Sequence, residues 1–208
     1  DGTRSVSLAD GARGISAAGN LDSSSKASLA RLVAVAFVRT ALEDPTRVPP
    51  TEASDIARAA SASGVDPEVR SLAALAAALV GQDASVPTIR RLADDARAPH
   101  STDNDIAQLG GGVRAWASVR LGDRAGVEAA LANSDGAARG SALRGAALGV
   151  RDLVARNGFD GADAMGVTSG FDAFEAGGVA AALPSVAGTA LLDDASVLAA
   201  AGALLGGR

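Results

Sequence analysis

The sequence predicts an all-α fold, on three observations. Hydrophobic residues make up 48 % of the chain but aromatics only 2 %. The core therefore has to be assembled from Ala, Leu and Val, with few of the β-branched and aromatic side chains that sheets favour. Apolar residues recur at helical spacing, as in Leu29, Leu32, Val33, Ala36, Phe37 and Ala41. Helix starts and stops punctuate the chain. Asp66-Pro67-Glu68 offers a side-chain acceptor for free backbone N–H groups, a residue suited to the first helical position and an acid near the positive end of the helix dipole, and Gly81 ends the run that follows.

Residues 1–20 hold Gly2, Gly11, Gly14 and Gly19 and predict a flexible arm or weak helix ahead of one helical domain over 21–208. The first strong helix spans 24–44 and is closed by Pro45, Pro49 and Pro50. A second runs from Thr51 to Gly64, and the Asp66 helix follows. A shorter helix puts Val86, Ile89, Leu92 and Ala93 on one face. The polar segment 97–105 contains Pro99 and is the clearest loop, suited to an insertion. Helical pattern resumes over 113–121, with Gly110-Gly111-Gly112 as flexibility at its start, and a short helix occupies 123–131. A long helix begins at Asp135 and extends to about Ala155, where Asn157-Gly158-Phe159-Asp160-Gly161 makes a turn. Two short helices over 171–182 and 184–192 and a final long one over 194–205 complete the chain.

One stencil recurs: an acid, three residues, a base, then an Ala/Leu run. It begins at Asp22, Asp66 and Asp135, without the acid at Gly110 and without the base at Asp194. Asp22 to Asp66 and Asp66 to Gly110 are both 44 residues, whereas Gly110 to Asp135 is 25 and Asp135 to Asp194 is 59. The stretch from Leu121-Gly122-Asp123 through Leu131 to Asp135-Gly136-Ala137-Ala138-Arg139 and Leu148-Gly149 resembles the HEAT-repeat pattern, and Asp66-Pro67-Glu68-Val69-Arg70 with Ala84 to Ile89 is similar. The resemblance covers residues 64–150 best. It implies an α-solenoid of stacked antiparallel helix pairs, with Asp66, Arg70, Arg114, Asp135 and Arg139 in a ladder between repeats. An irregular helical bundle is the alternative.

The charge of −5 and the pI near 4.8 oppose binding to a phosphate backbone, so nucleic acid is not an expected partner. With no Cys, neither disulfides nor thiol chemistry is available. The longest uncharged stretch, 176–192, is interrupted by Gly177, Gly178, Pro184 and Gly188, so no transmembrane segment is expected. A soluble chain follows from this reading, either cytoplasmic or exported. Its start at Asp1 rather than Met fits leader removal or a chain boundary equally.

Candidate chemistry is sparse. His100 is the only histidine and sits in the polar loop, where it reads as a surface residue. Asp103, Asn104 and Asp105 lack the spacing of a calcium loop, and the triple glycine lacks the ending of a phosphate loop. Gly166-Val167-Thr168-Ser169-Gly170 has Thr where a nucleophile elbow needs Ser. Asp94-Asp95 and Asp193-Asp194 sit where helix caps are needed. Trp116 and the four Phe are expected in the core. No catalytic, cofactor or metal residue is assigned.

Two function classes follow. The first is a non-enzymatic protein-interaction or scaffold module, with a polar rim of Arg90, Arg91, Arg114, Arg120, Arg124, Arg144, Arg151 and Arg156 around the partner surface. The second is a helical enzyme or small-molecule binder with an interhelical pocket, which the scarcity of His, Lys and Tyr disfavours. A subunit of a larger assembly is a variant of the first. The apolar segments 178–183 and 199–205 are the expected contact with a partner or a second copy.

Overall fold

The computed structural model describes residues 7–62, 64–81, 84–96, 104–132, 136–164, 173–187 and 200. These residues are all-α: nine α-helices, one 3₁₀ turn and, among the described residues, no strand. His100 with most of the predicted loop 97–105, Asp135, residues 166–170, Asp193-Asp194 and the helix expected over 194–205, Ala200 apart, lie outside the described residues. Among those described, no helix is long and apolar enough to cross a membrane.

Capping side chains define the helix starts. Helix α1, Leu8–Ala17, begins where the Ser7 hydroxyl accepts from the Asp10 N–H, and it turns Ala9, Ala12 and Ile15 inward. The described part of residues 1–20 is thus a packed helix. Helix α2, Ser23–Glu43, is capped by the Asp22 carboxylate, which accepts from both the backbone N–H and the hydroxyl of Ser25 at 2.8 Å. Those bonds hold the Asp22 carboxyl below the usual carboxylate range. After the 3₁₀ turn Pro45–Arg47 come α3, Pro50–Ala62, and α4, Pro67–Gly81, where Asp66 accepts from the Glu68 N–H at 2.8 Å.

Helix α5, Val86–Asp95, is capped by Ser85, and α6 spans Asn104–Leu121. The turn at Gly122, with φ of 64°, leads to α7, Arg124–Ala132, capped by Asp123 on the Gly126 N–H at 3.0 Å. Helix α8, Gly136–Ala164, is two helical segments meeting at Gly158, whose φ of 67° and ψ of 172° are non-helical. The turn expected at Asn157-Gly158 is that kink. Helix α9, Ala173–Ala187, replaces the two short helices expected there, because Pro184 is carried inside it. The Ser185 hydroxyl donates to the Ala182 carbonyl at 2.8 Å beside the interruption.

Helices pack on their neighbours in sequence, α3 on α4 and α8 on α9 above all, and the even-numbered ones also pack in series, α2 on α4, α4 on α6 and α6 on α8, with α1 on α3. Helix α2 also touches α6 and α8, so the array folds back on its second helix. Its inward face carries Ala30, Ala34, Phe37, Val38, Ala41 and Leu42, all buried. Trp116 on α6 is buried as expected, while the side chains of Phe159, Phe171 and Phe174 lie outside the described residues.

The most extensive interface joins α6 to α8, and it corrects the reading of Gly110-Gly111-Gly112 as a helix start. The glycines lie inside α6 because α8 runs against them. A Cβ on Gly112 would meet the Ser141 hydroxyl oxygen at 2.6 Å and Leu42 Cδ1 at 2.8 Å. A Cβ on Gly145 would overlap the Gly112 carbonyl, and one on Gly149 would meet Val119 Cβ at 2.7 Å. Ser141, Gly145 and Gly149 are four residues apart and form one small-residue face of α8, so the two backbones approach closely.

Arg144 fastens three helices. Its Nε donates to the Leu42 carbonyl at 2.6 Å, its Nη2 to the Glu43 carbonyl and its Nη1 to the Ser185 hydroxyl at 3.0 Å. The Leu42 and Glu43 carbonyls belong to the last turn of α2, where no intrahelical N–H remains to bond them and the dipole favours a cation. Arg144→Leu is expected to lower stability by about 2–3 kcal/mol in urea denaturation, with Lys recovering part of the loss. A change under 0.5 kcal/mol would show that water serves these carbonyls equally well.

Candidate functional site

The residues assigned to a ladder are distributed differently from the expectation. Arg114 on α6 donates through Nη2 to Glu68 Oε1 at 2.6 Å and through Nε to the Ala96 carbonyl at 3.1 Å. One side chain thereby joins the start of α4 to the end of α5. Its acid is Glu68, only 5 % exposed, and not Asp66, whose carboxylate is spent on the backbone of its own helix. Arg70 is half-buried, and its Nε is buried without a hydrogen-bond partner. Arg139 is half-buried on α8. The cross-helix ion pair of Arg114 is thus made with an acid outside the expected ladder, and Asp135 lies outside the described residues.

A buried charged cluster lies where α6 meets α8. The Trp116 indole N–H donates to Asp152 Oδ2 at 2.8 Å, and Arg151 Nε donates to Asp152 Oδ1 at 2.8 Å. Both carboxylate oxygens are thus engaged. Arg151 is fully buried and Asp152 nearly so. Sequence reasoning missed Asp152 as a core residue. A signal was present: Asp152 stands seven residues after Gly145 and three after Gly149, on the face that meets α6, inside an apolar run from Ala146 to Val154.

Arg120 and Arg151 were expected on a polar rim and are corrected. Arg120 is 3 % exposed, and its Nε and Nη1 are buried without a hydrogen-bond partner. Burial and the neighbouring Arg156 push its guanidinium below the ordinary value, and Asp152 opposes them. The small residues around the α6–α8 contact bring the helices close enough to enclose these long side chains. Arg144 likewise faces inward, onto the end of α2. Arg90, Arg91, Arg124 and Arg156 are on the surface, with Arg124 donating to Glu128 one turn along α7 at 2.8 Å.

The segment 178–183 is not a free apolar surface. Val179, Ala180 and Leu183 are buried, and Gly178 lies against Leu143 of α8. Exposed large apolar side chains are found instead on α2, where Leu29 is 40 % and Leu32 61 % exposed, and at Val86. Leu29 and Leu32 are three residues apart and share an outward ridge with Ser28, Ala36 and Arg39. The sequence signal for these leucines was ambiguous, because α2 carries apolar side chains around much of its circumference.

Two open grooves flank α1. One, of about 580 Å³, is bordered by Ile15, Ser16, Ser24, Lys26 and Gly64, and the other, of about 520 Å³, by Arg13, Asp55 and Arg58. Between α2, α4 and α6 the apolar void lined by Val38, Leu72 and Leu109 holds about 10 Å³, too little for a ligand. No family model, curated protein or solved structure matches this chain.

Proposed function

We propose that this chain is a non-enzymatic protein-binding element that meets its partner along the exposed ridge of α2. The observation that carries the reading is the pair Leu29 and Leu32, held outward one turn apart on a helix whose opposite face is locked into the core. A rigid helix presenting adjacent leucines offers a partner apolar area at little cost in backbone ordering. Ser28 and Arg39 supply polar margins to the ridge, as interfaces usually have. Packing of the even-numbered helices in series supports the HEAT-like part of the reading, in which stacked helices form a platform for a macromolecule. The contacts from α2 to α6 and α8 favour a compacted version over an open superhelix.

The test is Leu32→Asp, alone and with Leu29→Ser. Both positions are exposed, so stability is expected to change by no more than about 0.5 kcal/mol. A protein retained by the unaltered chain from an extract of its native source is expected to be lost from both variants. Equal retention by the variants, or recovery of a small molecule in place of a protein, would refute the ridge as the functional surface.

A further inference from the structure

The leucine ridge of α2 is bordered by positive charge. From Ser23 to Leu42 the helix carries Lys26, Arg31 and Arg39 and no acid, in a chain whose net charge is −5. Lys26 stands one turn before Leu29 on the same side of the helix, and Arg39 stands two turns after Leu32 on the same ridge. Arg31 lies on the opposite shoulder from Lys26, half-buried. The acids nearest in sequence, Asp22 and Glu43, are at the two ends of the helix, and Asp22 is engaged by Ser25. Arg39 meets Asp105 of α6 at 3.4 Å, but both side chains are more than half exposed, where water screens the pair. Lys26 also borders the groove of about 580 Å³ beside α1 and the start of α2, which leaves room for another chain's side groups to reach it.

We propose that the occupant of the α2 ridge is an acidic amphipathic helix of another protein, with apolar anchors against Leu29 and Leu32 and Asp or Glu side chains at Lys26, Arg31 and Arg39. The inference rests on the reading of the ridge as the contact surface and adds the chemistry of what it contacts. The leucines supply the apolar area to be buried, while opposite charge along the borders steers the encounter and fixes the register. A second copy of the chain is a poorer fit. In a two-fold pair the same patch meets itself, which would set Lys26, Arg31 and Arg39 against a second set of the same cations.

The probes are three synthetic peptides of about 20 residues, long enough to hold a helix. They share leucines along one face and differ only at the border positions, which are Glu, Gln or Lys. Each is labelled and titrated with the full chain, followed by fluorescence anisotropy at low and at physiological salt. The Glu peptide is expected to bind about tenfold or more tightly than the Lys peptide, with Gln between them, and to lose affinity several-fold as salt is raised. Lys26→Glu with Arg39→Glu is expected to reverse the order of the Glu and Lys peptides, its denaturation midpoint showing that it is folded. Leu29→Ser with Leu32→Ser, which changes no charge, is expected to abolish binding.

The inference is overturned if the Lys peptide binds best or if none of the three binds. It is also overturned if sedimentation shows a dimer that the double Ser variant dissociates, because the ridge then belongs to a second copy. Equal binding of all three peptides that is lost in the double Ser variant overturns the acidic partner and leaves the ridge standing. Binding of the Glu peptide that survives in that variant overturns the ridge itself.

Discussion

Gly145→Ala is expected to destabilise the protein by about 3 kcal/mol or more, a large share of the 5–15 kcal/mol that holds a typical domain together. The added methyl would overlap the Gly112 carbonyl, which is backbone and cannot rotate away. The helices α6 and α8 would have to separate along their length, loosening Trp116 and Val119 as well. In an isolated helix the same change would gain about 1 kcal/mol, so packing and propensity act in opposite directions. Gly140, on the same helix, has nothing within 4 Å of an added Cβ, and Gly140→Ala is expected to stabilise by up to about 1 kcal/mol. Denaturant midpoints for the two variants check this. Shifts of the same sign and size would mean that α6 and α8 are not in close contact in solution.

Asp152→Ala is expected to cost about 3–5 kcal/mol, because it removes the charge beside the fully buried Arg151 and the acceptor for the Trp116 N–H together. Asp152→Asn keeps an acceptor near the indole but not the charge, and an intermediate loss is expected. Trp116 reports on the event directly: if Asp152→Ala leaves the protein folded, its emission is expected to shift as water reaches the indole. Unchanged emission together with unchanged stability would show that the contact contributes nothing to the fold.

Much of the fold was legible because helix ends are written locally. Asp66, Ser85 and Asp123 are each capping residues next to the first helical turn, and the structure places a helix after each. What was not legible depends on partners far away in the chain. Gly112 reads as flexibility at a helix start until Gly145 is known to lie against it, and Arg120 reads as a surface residue until the closeness of α6 and α8 is known. The pairing of Arg114 followed the recurring stencil as far as the cation. It failed at the acid, because Asp66 and Glu68 compete for two jobs and the shorter side chain takes the cap.

Arg144 also bears on the order of events during synthesis. Its bonds to the Leu42 and Glu43 carbonyls span 102 and 101 residues. At the usual pace of translation, about 5–20 residues per second, the end of α2 leaves the ribosome roughly 5–20 seconds before its cap exists. A strictly linear array could consolidate piece by piece as each pair of helices emerges. Here the last turn of α2 waits for α8 before its end is capped, although α1 to α4 can already pack on one another.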